Sequence, residues 1–275
     1  DGHVGSPSLV TEAARFLSEA ENSSTAMDAA LVGDVDALMQ HRLSRLSAAS
    51  VRALQVLTTA DRPVLRSIVR QVATLGTDEL SALHQLRVGH FVRTRQSDAG
   101  ELIEPYHDSI RQSVVARLSK THSIHIHHQL ALCLEREGST DYEALAMHCK
   151  SGEMKDLAAH YLRLAARQAA RSLAFERAAA LFREALLDTQ AEDFSALSGE
   201  LGHVLSATGH GRAAADAFLA AASRASVKDK LQLQSQAGAQ LLRSGFLDEG
   251  IDVLQRVLSQ LKIRLPKSPR TSAIL

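Results

Sequence analysis

The feature that most constrains this chain is that its C-terminal half repeats itself. Three stretches align without gaps: Phe175 to Ala185, Gly211 to Ala221 and Leu247 to Val257. Ala178, Ala214 and Gly250 fall 36 residues apart, and so do Phe182, Phe218 and Leu254. The register extends upstream through Ala166, Gly202 and Gly238, and through Ala169, Leu205 and Leu241. A small residue lets two helices cross closely, an apolar one a turn later faces the partner, and a large one plugs the next pair. Such a period predicts stacked helix pairs, because one pair alone cannot bury its apolar face.

Composition points the same way. Gly (15) and Pro (5) are scarce and aromatics make up 4% of 275 residues, as in a mostly helical chain of about two domains. Lys plus Arg (31) equals Asp plus Glu (31), so no net field draws the chain to nucleic acid or anionic lipid. Cys133 and Cys149 lack metal-ligand spacing and read as small buried hydrophobes in a reducing compartment. Without a membrane-length apolar run or a secretory leader, the chain reads as cytoplasmic. Beginning at Asp1 without a methionine, it also reads as a segment of something longer.

The texture differs upstream. Helical patterns run over 34–46, 48–58, 63–73 and 78–88, with Asp61 before Pro63 and Thr77 before Asp78 as start signals. Phe91 to Arg95, a turn at Ser97 to Gly100, and Leu102-Ile103 read as a β-hairpin, and helical period returns from His107 to Leu118. Helices followed by a hairpin predict a winged helix. A helix follows from Ser119 to Glu137, and Thr140 to Glu143 reads as a capping box opening the next. Beyond Leu261, Lys262 to Arg270 is basic and broken by Pro266 and Pro269, hence a linker.

Catalytic machinery is missing from the pattern: no phosphate-binding Gly-rich loop, kinase motif, nucleophile elbow or zinc-protease motif occurs, and the segment is expected to have no enzyme activity of its own. His122, His125 and His128 recur every third residue on one helix, but without a completing ligand nearby they read as a solvated face rather than a metal site. The presumptive recognition helix, Thr77 to Val88, sets Asp78 and Glu79 against Arg87, and the wing sets Arg93 and Arg95 against Asp98, Glu101 and Glu104. Such a surface is not expected to bind DNA.

Two short motifs add a sharper signal. Gly5-Ser6-Pro7 with the following Leu9-Val10-Thr11-Glu12 resembles the Gly-x-Pro stretch of signal-transduction ATPases with numerous domains, the STAND class. Pro105-Tyr106-His107-Asp108-Ser109-Ile110-Arg111 resembles the same class's winged-helix motif, commonly Phe-x-His-Asp-x-Ile-Arg. The small-x-x-x-aromatic-x-x-small triplets Ala178, Phe182, Ala185 and Ala214, Phe218, Ala221, with the Leu201-Gly202 pair, resemble tetratricopeptide repeats, at a period two residues longer than usual.

The resemblance implies a mainly α fold: a small winged-helix domain with a β-hairpin followed by a tetratricopeptide-like α-superhelix. Residues 1–33 would end the nucleotide-binding ATPase module, 34–137 form the winged helix and connecting helix, 138–261 the repeats, and 262–275 a linker. It further implies ATP or ADP as ligand, with Mg held mainly by an upstream part. Pro7 would line the adenine pocket, Gly5 would permit close backbone approach, and His107 would reach the β-phosphate of ADP and favour the closed state. Asp108 would cap the next helix or orient His107. Taken alone, Pro7 also fits a first-turn helix proline after Ser6, and His107 a helix-start histidine. The parent would be a large bacterial serine/threonine protein kinase fused to such an ATPase, its repeats binding a protein partner or effector. A transcription activator of the maltose-regulator type and a repeat scaffold without nucleotide switching are the alternatives.

Overall fold

The computed structural model describes residues 35–187 and 191–263. The chain is mainly helical, with one small three-stranded antiparallel sheet among the described residues, and it divides into two compact units between Gly138 and Ser139. No described helix is long and apolar enough to cross a membrane.

The first unit runs α1 (Val35–Ser44), α2 (Ala48–Ala60), β1 (Val64–Leu65), α3 (Arg66–Val72), a 3-10 turn (Gly76–Asp78), α4 (Glu79–Val88), β2 (Val92–Ser97), β3 (Gly100–Pro105), α5 (Asp108–Val115) and α6 (Lys120–Arg136). Its sheet order is β1-β3-β2, with Ile103 of β3 opposite Val64 on one side and Thr94 on the other. Three helices, a hairpin and a short strand on its outer side make a winged helix. Ser47 starts α2, its hydroxyl accepting from the Ser50 amide at 3.1 Å. Ala53, Leu54, Leu57 and Ala60 then line one face of α2 and are buried with Ile68, Leu83, Leu86, Ile103 and Ile110. This helix is the spine on which the hairpin and α5 are mounted.

Three local expectations are corrected. Helical period was expected from Pro63, yet Val64 and Leu65 are strand, because pairing with Ile103 and Leu102 outweighs local propensity. Asp61 does not open a helix; it ends α2 in the left-handed region at φ 57°, which a short polar residue tolerates. Thr77 lies in the 3-10 turn, so α4 starts only at Glu79 and without a side-chain cap.

The second unit consists of helices α7 (Tyr142–Ser151), α8 (Lys155–Arg171), α9 (Phe175–Leu187), α10 (Ala191–Ala207), α11 (Gly211–Ser223), α12 (Val227–Arg243) and α13 (Leu247–Gln260). The cap of α7 is Asp141, one residue after the expected Thr140; its carboxylate accepts from the Ala144 amide at 3.1 Å. Helices α8, α10 and α12 start 36 residues apart and each spans 17 residues; α9, α11 and α13 start at the same interval. Even the turns repeat. The amides of Ala174, His210 and Phe246 donate to the carbonyls of Ala169, Leu205 and Leu241 at 2.9, 3.0 and 2.9 Å. The residue before each donor pair, Leu173, Gly209 or Gly245, is left-handed, with φ 60°, 79° and 84°.

Packing follows the same interval. Phe182 and Phe218 are buried at 1% exposure in equivalent places, and 16 positions before each stands a buried small residue, Ala166 and Gly202. A Cβ added to Gly202 would stand 2.7 Å from the Phe218 ring, and one added to Gly238 would stand 2.7 Å from Leu254. The crossing is therefore as close as a side-chain-free backbone permits. Ion pairs bridge alternate helices: Arg177 with Glu143 and Lys150 with Glu184 join α7 to α9, Arg167 with Glu200 and Arg163 with Asp193 join α8 to α10, and Arg212 with Glu249 joins α11 to α13.

Candidate functional site

Of the residues singled out for nucleotide contact, Gly5 and Pro7 lie outside the described residues. His107 lies where β3 hands over to α5. The strand leaves the sheet at Pro105, the Tyr106 amide donates to the Phe91 carbonyl at 2.9 Å, and His107 is the residue before α5, extended at φ −138° and ψ 152°. Its side chain makes no capping hydrogen bond to the helix. The imidazole stands edge-on to Tyr106 at 4.8 Å between ring centres, and Tyr106 in turn meets His90 edge-on at 5.8 Å. Tyr106 thereby buttresses His107, a role that only its adjacency in sequence could have suggested.

Asp108 neither caps α5 nor orients His107 through a hydrogen bond. Its carboxylate accepts from Arg111 at 2.8 Å and from Gln112 at 2.6 Å, one turn along its own helix. The Arg111 hydrogen bond holds the Asp108 carboxyl below the usual aspartate range. Arg111 also reaches Asp61 at 2.9 Å, tying the start of α5 to the end of α2. Nothing in the spacing of Asp61 and Arg111 advertised this link; the fold brings them together.

These groups border a cleft of about 170 Å³ lined by Asp61, Arg62, Pro63, Glu104, His107, Asp108 and Arg111. Its carboxylates are matched by cations: Arg111 serves Asp61 and Asp108, and Arg93 serves Glu104 at 2.8 Å. The positive end of α5 opens beside the imidazole. Such an arrangement suits one anionic oxygen or one phosphate-sized group. It is smaller than the ~300 to 1,000 Å³ typical of a whole small-molecule site. A larger cleft of about 610 Å³ lies between α1 and α4, lined by Arg42, Arg45, His84, Gln85 and Phe91. It serves packing: Arg42 donates to the Gly89 carbonyl at 2.6 Å and covers the Phe91 ring at 4.7 Å.

The wing is internally neutralised. Glu79 and Glu101 hold Arg66 between them at 2.6 and 3.3 Å, and Arg87 adds to Glu101 at 3.6 Å. On α6, burial pushes the half-buried His127 below its ordinary value, and among the described residues no three His, Cys, Asp or Glu side chains gather as a metal would require. Compared with protein-family models, curated proteins and solved structures, the chain matches none.

Proposed function

We propose that this chain is the regulatory and protein-interaction part of a STAND-type signalling ATPase, in a multidomain bacterial serine/threonine protein kinase of the cytoplasm. The winged helix senses bound nucleotide, and the helix pairs, read as tetratricopeptide-like repeats, hold a protein partner or effector. The observation that carries the reading is the place of His107: at the start of α5, not spent on capping, braced by Tyr106, and facing a cleft of phosphate size. Such a donor supplies one contact to an ADP held mainly by an upstream ATPase module, with Gly5 and Pro7 at the base. A contact made only in the closed arrangement shifts the population toward it.

The test is ADP release from the full-length protein. A hydrogen bond to a charged group contributes about 1.5 to 3 kcal/mol, so His107→Ala should speed release roughly 10- to 150-fold and raise basal signalling. Unchanged ADP retention in a folded mutant would reduce His107 to an ordinary helix-start residue and remove the support for nucleotide sensing.

A further inference from the structure

The cleft between α1 and α4 spends one of its basic side chains on packing and leaves two. Arg42 covers Phe91 and donates to the Gly89 carbonyl. The side chains of Arg45 and His84 are exposed and, among the described residues, make no hydrogen bond or ion pair. Among those residues no carboxylate lines this cleft, whereas acids and cations meet in the one beside His107. An apolar row runs into it along α4: Leu80 is 70% exposed and Val88 62%, with His84 between them at intervals of four. The half-buried Leu46 continues the apolar surface on the opposite wall. Exposed apolar side chains beside charge of one sign mark a docking surface.

We propose that residues 9–21 of this same chain dock on the cleft and on the Leu80–Val88 row. Charge, pattern and reach all select them. Residues 1–34, outside the described residues, hold the carboxylates of Asp1, Glu12, Glu19, Glu21, Asp28 and Asp34 against the single cation of Arg15. Residues 35–138 have the opposite balance, 13 Lys plus Arg against 10 Asp plus Glu. In the sequence Leu9, Ala13, Phe16, Leu17 and Ala20 recur at helical period, with Glu12 and Glu19 along one border of the stripe, Glu21 along the other and Arg15 behind. Apolar side chains that meet Leu46 and Val88 therefore bring carboxylates to Arg45 and His84. The cleft lies at the far end of α1, a helix of 10 residues, hence about 15 Å from Val35. Residues 22–34 reach roughly 40 Å when extended, more than the return along α1 requires. The tether keeps the segment at high effective concentration, so a modest surface suffices. The proposal does not rest on nucleotide sensing by His107, and its test uses no nucleotide.

Hydrogen exchange of the 275-residue chain tests it. Amides of residues 9–21 should exchange at least about 10-fold more slowly than in the isolated peptide, independently of protein concentration. Val88→Asp, at an exposed position, should remove that protection while the amides of α2 stay protected. Arg45→Glu with His84→Glu should remove it too, and adding Glu12→Lys with Glu19→Lys should bring it back. Exchange of residues 9–21 at the peptide's rate in the parent chain would overturn the proposal, leaving the cleft to a foreign partner. Protection that grows with concentration would do the same, giving it to a second copy. So would protection that survives Val88→Asp, or that the charge exchange fails to restore.

Discussion

The ring of Phe218 occupies the space that a side chain on Gly202 would need: a Cβ there would stand 2.7 Å from Cδ1 and from Cε1. Because the ring is itself 1% exposed, it has nowhere to retreat. Gly202→Ala should therefore destabilise by about 1 to 3 kcal/mol, although alanine is the better helix former. Gly199, on the same helix, meets nothing closer than Leu233 at 3.6 Å, and Gly199→Ala should stabilise by about 0.5 to 1 kcal/mol. Phe218→Ala should cost about 3 to 5 kcal/mol. Urea melts of the three variants decide it, and equal effects of the two glycine changes would contradict the packing described.

Leu173 holds a left-handed turn where the next two turns use Gly209 and Gly245. It is 72% exposed, so its side chain contributes little burial to offset the strain. Leu173→Gly should stabilise by about 1 kcal/mol, and Gly209→Ala should destabilise by a similar amount. Thermal melts of the two variants should move in opposite directions.

Asp108 should report its bond to Arg111 on acidification. Its carboxyl is held low in the folded chain, so the stabilisation is complete above the unfolded value and is lost as pH falls through the folded one. In Arg111→Gln the NMR-detected Asp108 titration should move up toward that of an ordinary aspartate, and the stability gap to the parent should narrow in acid. A titration that stays put would mean that the arginine does not set it.

Both cysteines are buried, and burial pushes the Cys133 thiol up. A thiol-reactive dye should label neither Cys133 nor Cys149 in native buffer and both in urea, at a midpoint matching the loss of helix. Rapid stoichiometric labelling of the folded chain would contradict their placement.

The helix pairs were legible because a period shared by Ala166, Gly202 and Gly238 and by Phe182, Phe218 and Leu254 repeats one packing problem. The winged helix was legible from order alone, helices before a hairpin. What stayed hidden was set at a distance. β1 exists because Val64 meets Ile103, and the β3–α5 corner is fixed because Arg111 meets Asp61, half a hundred residues away. No local pattern carries those meetings. His107 was singled out by a short motif, while Tyr106, which stands edge-on to it, carried no signal beyond its place next to an imidazole.

The common stride of the helix pairs makes this half of the protein a ruler that can be cut in whole divisions. Removing residues 191–226 would join α9 to α12 in the same 36-residue register, and Gly238, still filled by Leu254, would take the place that Gly202 and Phe218 now hold. Each pair touches only its neighbours, so the splice disturbs no third party. Gene duplication or loss in steps of 36 codons therefore changes the reach of the molecule without asking its core to be reinvented.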